Sequence, residues 1–208
     1  MKIITPTFAI PGIHHMALML KSDEVYVEHH EHYQKRSCRN RFSIIDHQGL
    51  KSISIPLKKG KHEQMPISEV EISYDSDWQY QVIKTIRTAY GKSAYFEFYY
   101  PGFEKVWNQK ADLLIEFNAS IFAWLQKSLK TKINLQSTLS FELNYDLEYL
   151  DLRGKIPQWQ QDYFPQVFED RLGFVQGASI LDLVFCLGPE ASPYLRKIAE
   201  SFPENTQI

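Results

Sequence analysis

Between Val27 and Arg41 the chain places Glu28, His29, His30, Glu31 and His32 just ahead of Lys35, Arg36, Arg39 and Arg41, with hydrophobic sequence on either side. Three histidines, two acids and four cations thus fall within fifteen residues. Guanidinium groups offer paired donors that match a carboxylate or a phosphate, and a lysine adds a compact charge. Lys35, Arg39 and Arg41 therefore form a candidate clamp for an anionic ligand. The competing reading is a solvated, charge-rich loop, because exposed ion pairs are common and contribute little. Asn40 would orient the ligand or brace the loop, Tyr33 offers a ring that can stack on a sugar or nucleobase, and Arg36 reads as surface.

On a strand, residues two apart face the same way. Glu28, His30 and His32 would then share a polar face opposite Val25, Val27 and His29. There the carboxylate can orient the His30 imidazole, or share a proton with it, as a general acid/base pair. With His32 the same groups can hold a divalent metal, or they can form a hydrogen-bonded structural cluster, since the near-neutral pKa of histidine permits all three. Glu28 and His30 are the catalytic candidates, and no metal is assigned. His14 and His15 follow a Pro11-Gly12 turn where a helix N-terminus can face the same site, although a partly buried histidine is the simpler reading. Asp151 and Arg153 flank Leu152, so Arg153 either pairs with Asp151 or reaches the ligand. Ser179 and Asp182 form a Ser-x-x-Asp capping pattern that accounts for the serine without making it a nucleophile.

These residues need elements to hold them. Residues 3 to 10 read as extended, Pro11-Gly12 as a turn, and Ile13 to Leu20 as a short buried helix. A strand is expected from Glu24 to His32, then a hairpin from Phe42-Ile45 and Ser52-Leu57 around a turn at His47-Gln48-Gly49. Val70 to Tyr74 alternates like a further strand. After Asp77 the period changes: Trp78, Val82, Ile83, Ile86 and Tyr90 fall on one helical stripe, with Asp77 at its start and Gly91 at its end. A second helical segment is expected from Phe103 to Asn108 and a third from Asp112 to Leu129. Leu139 to Leu150 is ambiguous, and residues 155 to 165 are loop-like around their prolines. A short apolar helix follows Ser179 and stops at Gly188-Pro189. A last one starts near Pro193 with Ser192 as its cap.

The pattern is α+β: a β-rich N-terminal part packed against helices from the middle and C-terminal segments, expected to form a single domain over residues 1 to 208. A formal charge of -2 argues against bulk electrostatic binding to nucleic acid. Cys38 and Cys186 match neither a disulfide framework nor a zinc spacing, which favours a reducing, cytoplasmic setting. No stretch reads as a signal peptide or a membrane span. Dinucleotide, P-loop, nucleophile-elbow and His-Glu-x-x-His motifs are missing, and nothing names a cofactor. The high aromatic content suggests a ligand groove or a self-association surface that would make a homo-oligomer.

Three blocks together resemble the WbqC-like family: Glu28-x-His30-x-x-Tyr33-x-Lys35-x-x-x-Arg39-Asn40-Arg41; the Asp77-Trp78 helix ending in Ala89-Tyr90, with Tyr95-Phe96 close behind; and Leu181-Asp182-Leu183-x-Phe185-x-x-Gly188-Pro189. The likeness covers nearly the whole chain, and its strongest parts are Lys35 to Arg41 and the block from Gln166 to Gly188. The family is named for a protein encoded among O-antigen biosynthesis genes. The resemblance thus implies work on a surface-glycan intermediate, such as transfer of an acyl or aminoacyl group to an activated amino sugar. Many members carry an aromatic residue at the position of Cys38 and an asparagine at that of Cys186, so a thiol nucleophile is not expected. The resulting expectation is an enzyme acting on a small anionic metabolite, with a non-catalytic binding or scaffold protein of the same pathway as the alternative.

Overall fold

The computed structural model describes residues 1–60, 64–154, 156 and 159–202. Its organising element is β1 (Lys2–Pro6), whose Ile3, Ile4 and Thr5 are fully enclosed. Strands covered on both faces belong in a parallel sheet. Accordingly β1 runs parallel to β2 (Glu24–Glu28), with α1 (Ile13–Lys21) between them in sequence, and Ile3 registers with Val25 and Pro6 with Glu28. Two three-residue strands complete the sheet: β5 (Leu135–Ser137) beside β2 and β6 (Tyr149–Asp151) beside β1, in the order β5-β2-β1-β6. Both come from the weakly patterned stretch after residue 131. Strands this short take their form from the neighbours they pair with rather than from local preference.

The expected hairpin forms as β3 (Arg41–Asp46) and β4 (Gly49–Ser54), with Gly49 in the left-handed region at φ 109°. The alternation of Val70 to Tyr74 does not become a strand. Isolated bridges join Leu57 to Ile72 and Glu71 to Leu113, and the segment threads between hairpin and helices. β2 ends at Glu28 rather than at His32.

Of the helices, α2 (Trp78–Tyr90) buries the anticipated stripe, though the Asp77 side chain makes no capping bond. Helix α3 (Phe96–Trp107) begins well before Phe103, because Pro101 interrupts the sequence signal without ending the helix. Next come α4 (Leu114–Ser128), the short α5 (Glu169–Leu172), α6 (Ile180–Leu187) and α7 (Ala191–Glu200). The last starts at Ala191, so Ser192 lies inside its first turn instead of capping it, and Pro193 sits where a missing N–H costs little. The loop-like reading of residues 155 to 165 falls partly on Lys155, Pro157 and Gln158, outside the described residues.

The aromatic residues are concentrated inside. Trp107 meets Phe117 at 5.2 Å, Phe103 at 5.4 Å, Phe42 at 5.6 Å and Trp78 at 5.7 Å between ring centroids, joining α2, α3, α4 and the hairpin into one core. Among the described residues no helix is long and apolar enough to cross a membrane.

Candidate anion-binding site

The segment between β1 and α1, the loop of residues 34–39, the start of β3 and the N-terminus of α6 meet around a cleft of about 550 Å³. Backbone bonds tie these pieces together. The Ser179 N–H donates to the Ser43 carbonyl at 2.8 Å, Ile180 to Pro11 at 2.9 Å, and Ala9 to Cys38 at 3.0 Å. Residues more than 150 positions apart in sequence, such as Gly12 and Ser179, are thereby bridged.

Arg36, Arg39, Arg41 and Arg153 all line this cleft, and no aspartate or glutamate does among the described residues. Their states differ. Arg39 is almost wholly buried and forks onto Glu31, its Nε donating to Oε1 at 2.7 Å and its Nη2 pairing with Oε2. Burial pushes the Glu31 carboxyl up, opposed by the guanidinium that grips it. Arg153 is held by Asp151 through Nε at 3.0 Å and Nη2 at 2.6 Å, and it also donates to the Glu142 and Leu143 carbonyls at 2.7 and 3.1 Å. Arg41 and Arg36 have no such carboxylate. Arg41 is half-buried with its Nε enclosed and unpartnered, whereas Arg36 is exposed and adopts φ 56°, a conformation that costs a non-glycine residue roughly 1–3 kcal/mol.

Two neutral groups face the same space. His15 and Ser179 line the cleft, and their Nε2 and Oγ atoms are buried with no hydrogen-bond partner. Burial outweighs a backbone hydrogen bond to Leu152 and drives the His15 pKa down to about 3, so its imidazole is neutral at physiological pH. Cys38 also lines the cleft, and burial raises its thiol pKa. Cys186 is displaced in the same direction by burial, with the Asp182 charge adding to it. Neither cysteine has the lowered pKa of a reactive thiolate.

Glu28 and His30 do not form a side-chain pair, and neither lines the cleft. Because β2 stops at Glu28, the carboxylate turns back onto the His30 backbone N–H at 2.7 Å. It also accepts from Thr138 Oγ1 at 2.9 Å and Tyr145 Oη at 3.2 Å, and lies 3.6 Å from Arg153 Nη1. The exposed His30 ring sits with Nε2 3.0 Å from the Thr138 carbonyl. Glu28 is fully buried, a structural anchor behind Arg153. The metal alternative is not assembled either: among the described residues no group of three or more histidine, cysteine, aspartate or glutamate side chains is arranged to hold an ion.

Tyr33 and Asn40 are buried and brace the loop. The tyrosine hydroxyl donates to Asn40 Oδ1 at 2.8 Å, and Asn40 Nδ2 donates to the Ile55 carbonyl at 2.9 Å. Lys35 is exposed outside the cleft lining, while Arg36, read as surface, belongs to it. Of the expected binding residues, the fold therefore gathers Arg39, Arg41 and Arg153. The sequence reads His15 most simply as a partly buried histidine and Ser179 as a helix cap. Yet Ser179 makes no capping bond with its side chain. Asp182 does not complete the box, accepting instead from Gln166 Nε2 at 2.8 Å, with Cys186 Sγ at 3.9 Å. Burial lifts Asp182 to about 7.

A model of the WbqC-like protein family matches residues 6–152. That span holds Arg36, Arg39 and Arg41, and it stops one residue short of Arg153; the Gln166 to Gly188 block lies beyond it. No curated protein and no solved structure matches the chain.

Proposed function

The chain belongs to the WbqC-like family, and from that membership and the arginine cleft we propose that it binds a small anionic metabolite there and modifies it. Four guanidinium groups around one cavity, with no carboxylate among its described lining residues, carry this reading. Two of them, Arg36 and Arg41, have no carboxylate partner among the described residues, and such unpaired like charge favours the entry of something negative. Our reading of the family resemblance places the chain in surface-polysaccharide synthesis of the O-antigen kind, as a cytoplasmic group transferase on an activated amino sugar. Arg36 and Arg41 bind the anion, while Arg39 and Arg153, each already held by a carboxylate, shape the cleft wall behind it. Glu28 acts as a positioning residue through Arg153, with His30 and Thr138 closing its shell, while Tyr33 and Asn40 hold the loop and Lys35 adds charge at its rim.

The test is calorimetric titration of sugar phosphates and nucleotide sugars into the protein and into Arg41→Ala. The variant should remain folded and lose about tenfold or more in affinity, as expected for a charged hydrogen bond of about 1.5–3 kcal/mol. Unaltered binding in a folded Arg41→Ala protein would remove the cleft as the site.

A second reading, a binding or scaffold protein without turnover, is favoured by one observation. The titratable neutral groups in the cleft are poorly suited to moving protons near neutrality: His15 is held at about 3 and the Cys38 thiol is raised. Native mass spectrometry with nucleotide sugars and acyl donors separates the two. A mass change in the released ligand means an enzyme, and recovery of the ligand unchanged from every mixture means a binder.

A further inference from the structure

The charge balance of the cleft specifies more than an anion. Two of its four guanidinium groups are already neutralised within the fold, Arg39 by Glu31 and Arg153 by Asp151, with Glu28 nearby. Arg36 and Arg41 line the same cavity and form no ion pair with any described residue. Two guanidinium groups are therefore left without a carboxylate, while Arg153 has two, Asp151 and Glu28. One of the unpaired two, Arg41, is half-buried with an enclosed, unsatisfied Nε, an arrangement that costs free energy unless a ligand completes it.

A neutral donor lies beside these two guanidinium groups. The cleft is lined by the N-terminal ends of two helices, α1 after Gly12 and α6 after Ser179. Helix N-termini favour negative charge, and phosphate above all. At the α6 end Ser179 Oγ is buried without a partner, so the site offers an uncharged donor beside its two unpaired guanidinium groups, whereas the neutral His15 ring bonds the Leu152 carbonyl and leaves Nε2 as an acceptor. A lone carboxylate brings one negative charge and two oxygens, too few for this set. A phosphoryl group brings more acceptor oxygens and up to two charges. Gln34, Ser37, Ser43 and Ser52 complete the wall with polar side chains suited to a hydroxyl-bearing body.

Resting on the anion-binding reading, we propose that the cleft recognises a phosphoryl ligand carrying two negative charges, borne by one terminal phosphate or by a pyrophosphate, on a polyhydroxylated small molecule. Arg36 and Arg41 supply the matching charge; the Ser179 hydroxyl supplies the neutral contact.

Calorimetry at pH 8 with glucose 1-phosphate, uridine diphosphate glucose, inorganic pyrophosphate, glucuronate and glucose tests this on the full chain. One or more of the three phosphoryl probes should bind at least about tenfold tighter than glucuronate, and glucose should not bind. Arg36→Gln, an exposed position that leaves the core untouched, and Arg41→Gln should each weaken that phosphoryl probe about tenfold, and together about a hundredfold. Ser179→Ala should weaken it by less, because a neutral contact is lost. A preference for glucose 1-phosphate over uridine diphosphate glucose assigns the terminal phosphate, and the reverse assigns the pyrophosphate. Glucuronate binding as tightly as every phosphoryl probe, yet lost in Arg41→Gln, would overturn the two-charge inference and leave the anion site standing. No binding by any of the anions, or binding indifferent to both arginine substitutions, would overturn both.

Discussion

Arginine appears in this cleft in two roles that sequence does not distinguish. Arg39 is a structural cation: enclosed, forked onto a buried carboxylate, and donating to the Arg153 carbonyl at 3.3 Å. Removing one member of a buried pair strands the other, at a cost of about 3–5 kcal/mol. Arg39→Ala should therefore lower the melting temperature sharply, whereas Arg36→Ala should leave it unchanged, and differential scanning calorimetry of the two variants checks the contrast. Arg41 lies between these extremes, half-buried and incompletely partnered. The run from Lys35 to Arg41 was legible as a cluster of charge, but the assignment of each cation was not. Its partner, whether Glu31, a neighbouring strand or solvent, depends on where the loop folds.

At the scale of elements, helix ends and strand ends deliver the chemistry. The end of α6 shows how little freedom such a junction leaves. Gly188 has φ 54°, and a Cβ there would stand 2.4 Å from the Tyr95 ring. Gly188→Ala should destabilise the protein by more than the roughly 1–3 kcal/mol typical of a non-glycine residue at positive φ. Adding Tyr95→Ala should recover only the steric share, which a urea denaturation series of the single and double variants can separate. The Gly188-Pro189 stop was readable from sequence, since glycine there has a local cause. The start of α3 was not, because Pro101 looks like a break when it stands alone and is tolerated once the surrounding helix is packed. Glu28 presents the same limit: its alternation with His30 is correct for a strand, and the strand ends before the pattern can operate.

Across the whole molecule, two buried titratable groups tilt stability in opposite directions with pH. Asp182 has its folded pKa raised from 3.8 to about 7 by burial, so its contribution is present below the unfolded value and is lost as pH rises toward 7. His15 has its folded pKa lowered from 6.5 to about 3, so its contribution is present above the unfolded value and is lost as pH falls toward 3. Each shift corresponds to something on the order of 4 to 5 kcal/mol, and between about pH 4 and 6.5 the two largely oppose each other. Relative to the parent protein, Asp182→Asn should lose stability on acidification through this window, and His15→Gln should gain it. Melting temperatures of the three proteins from pH 4 to 8 give the comparison. Parallel profiles would show that neither group titrates as its burial requires.

The sequence by itself determined the α+β character, the hairpin, the stripe of α2, the family, and the segment in which charge is concentrated. Each rests on a local signal, a period of two or of 3.6, a turn residue or a run of like chemistry, read within about a dozen positions. Tertiary structure alone decided that β5 and β6 exist, that the Glu28 carboxylate turns onto Thr138 and the His30 backbone rather than the His30 ring, and that His15, Arg36 and Ser179 share a cavity with Arg41. Those outcomes depend on parallel pairing and on bridges such as Gly12 to Ser179, where the groups that meet lie far apart along the chain and leave no mark on their sequence neighbours.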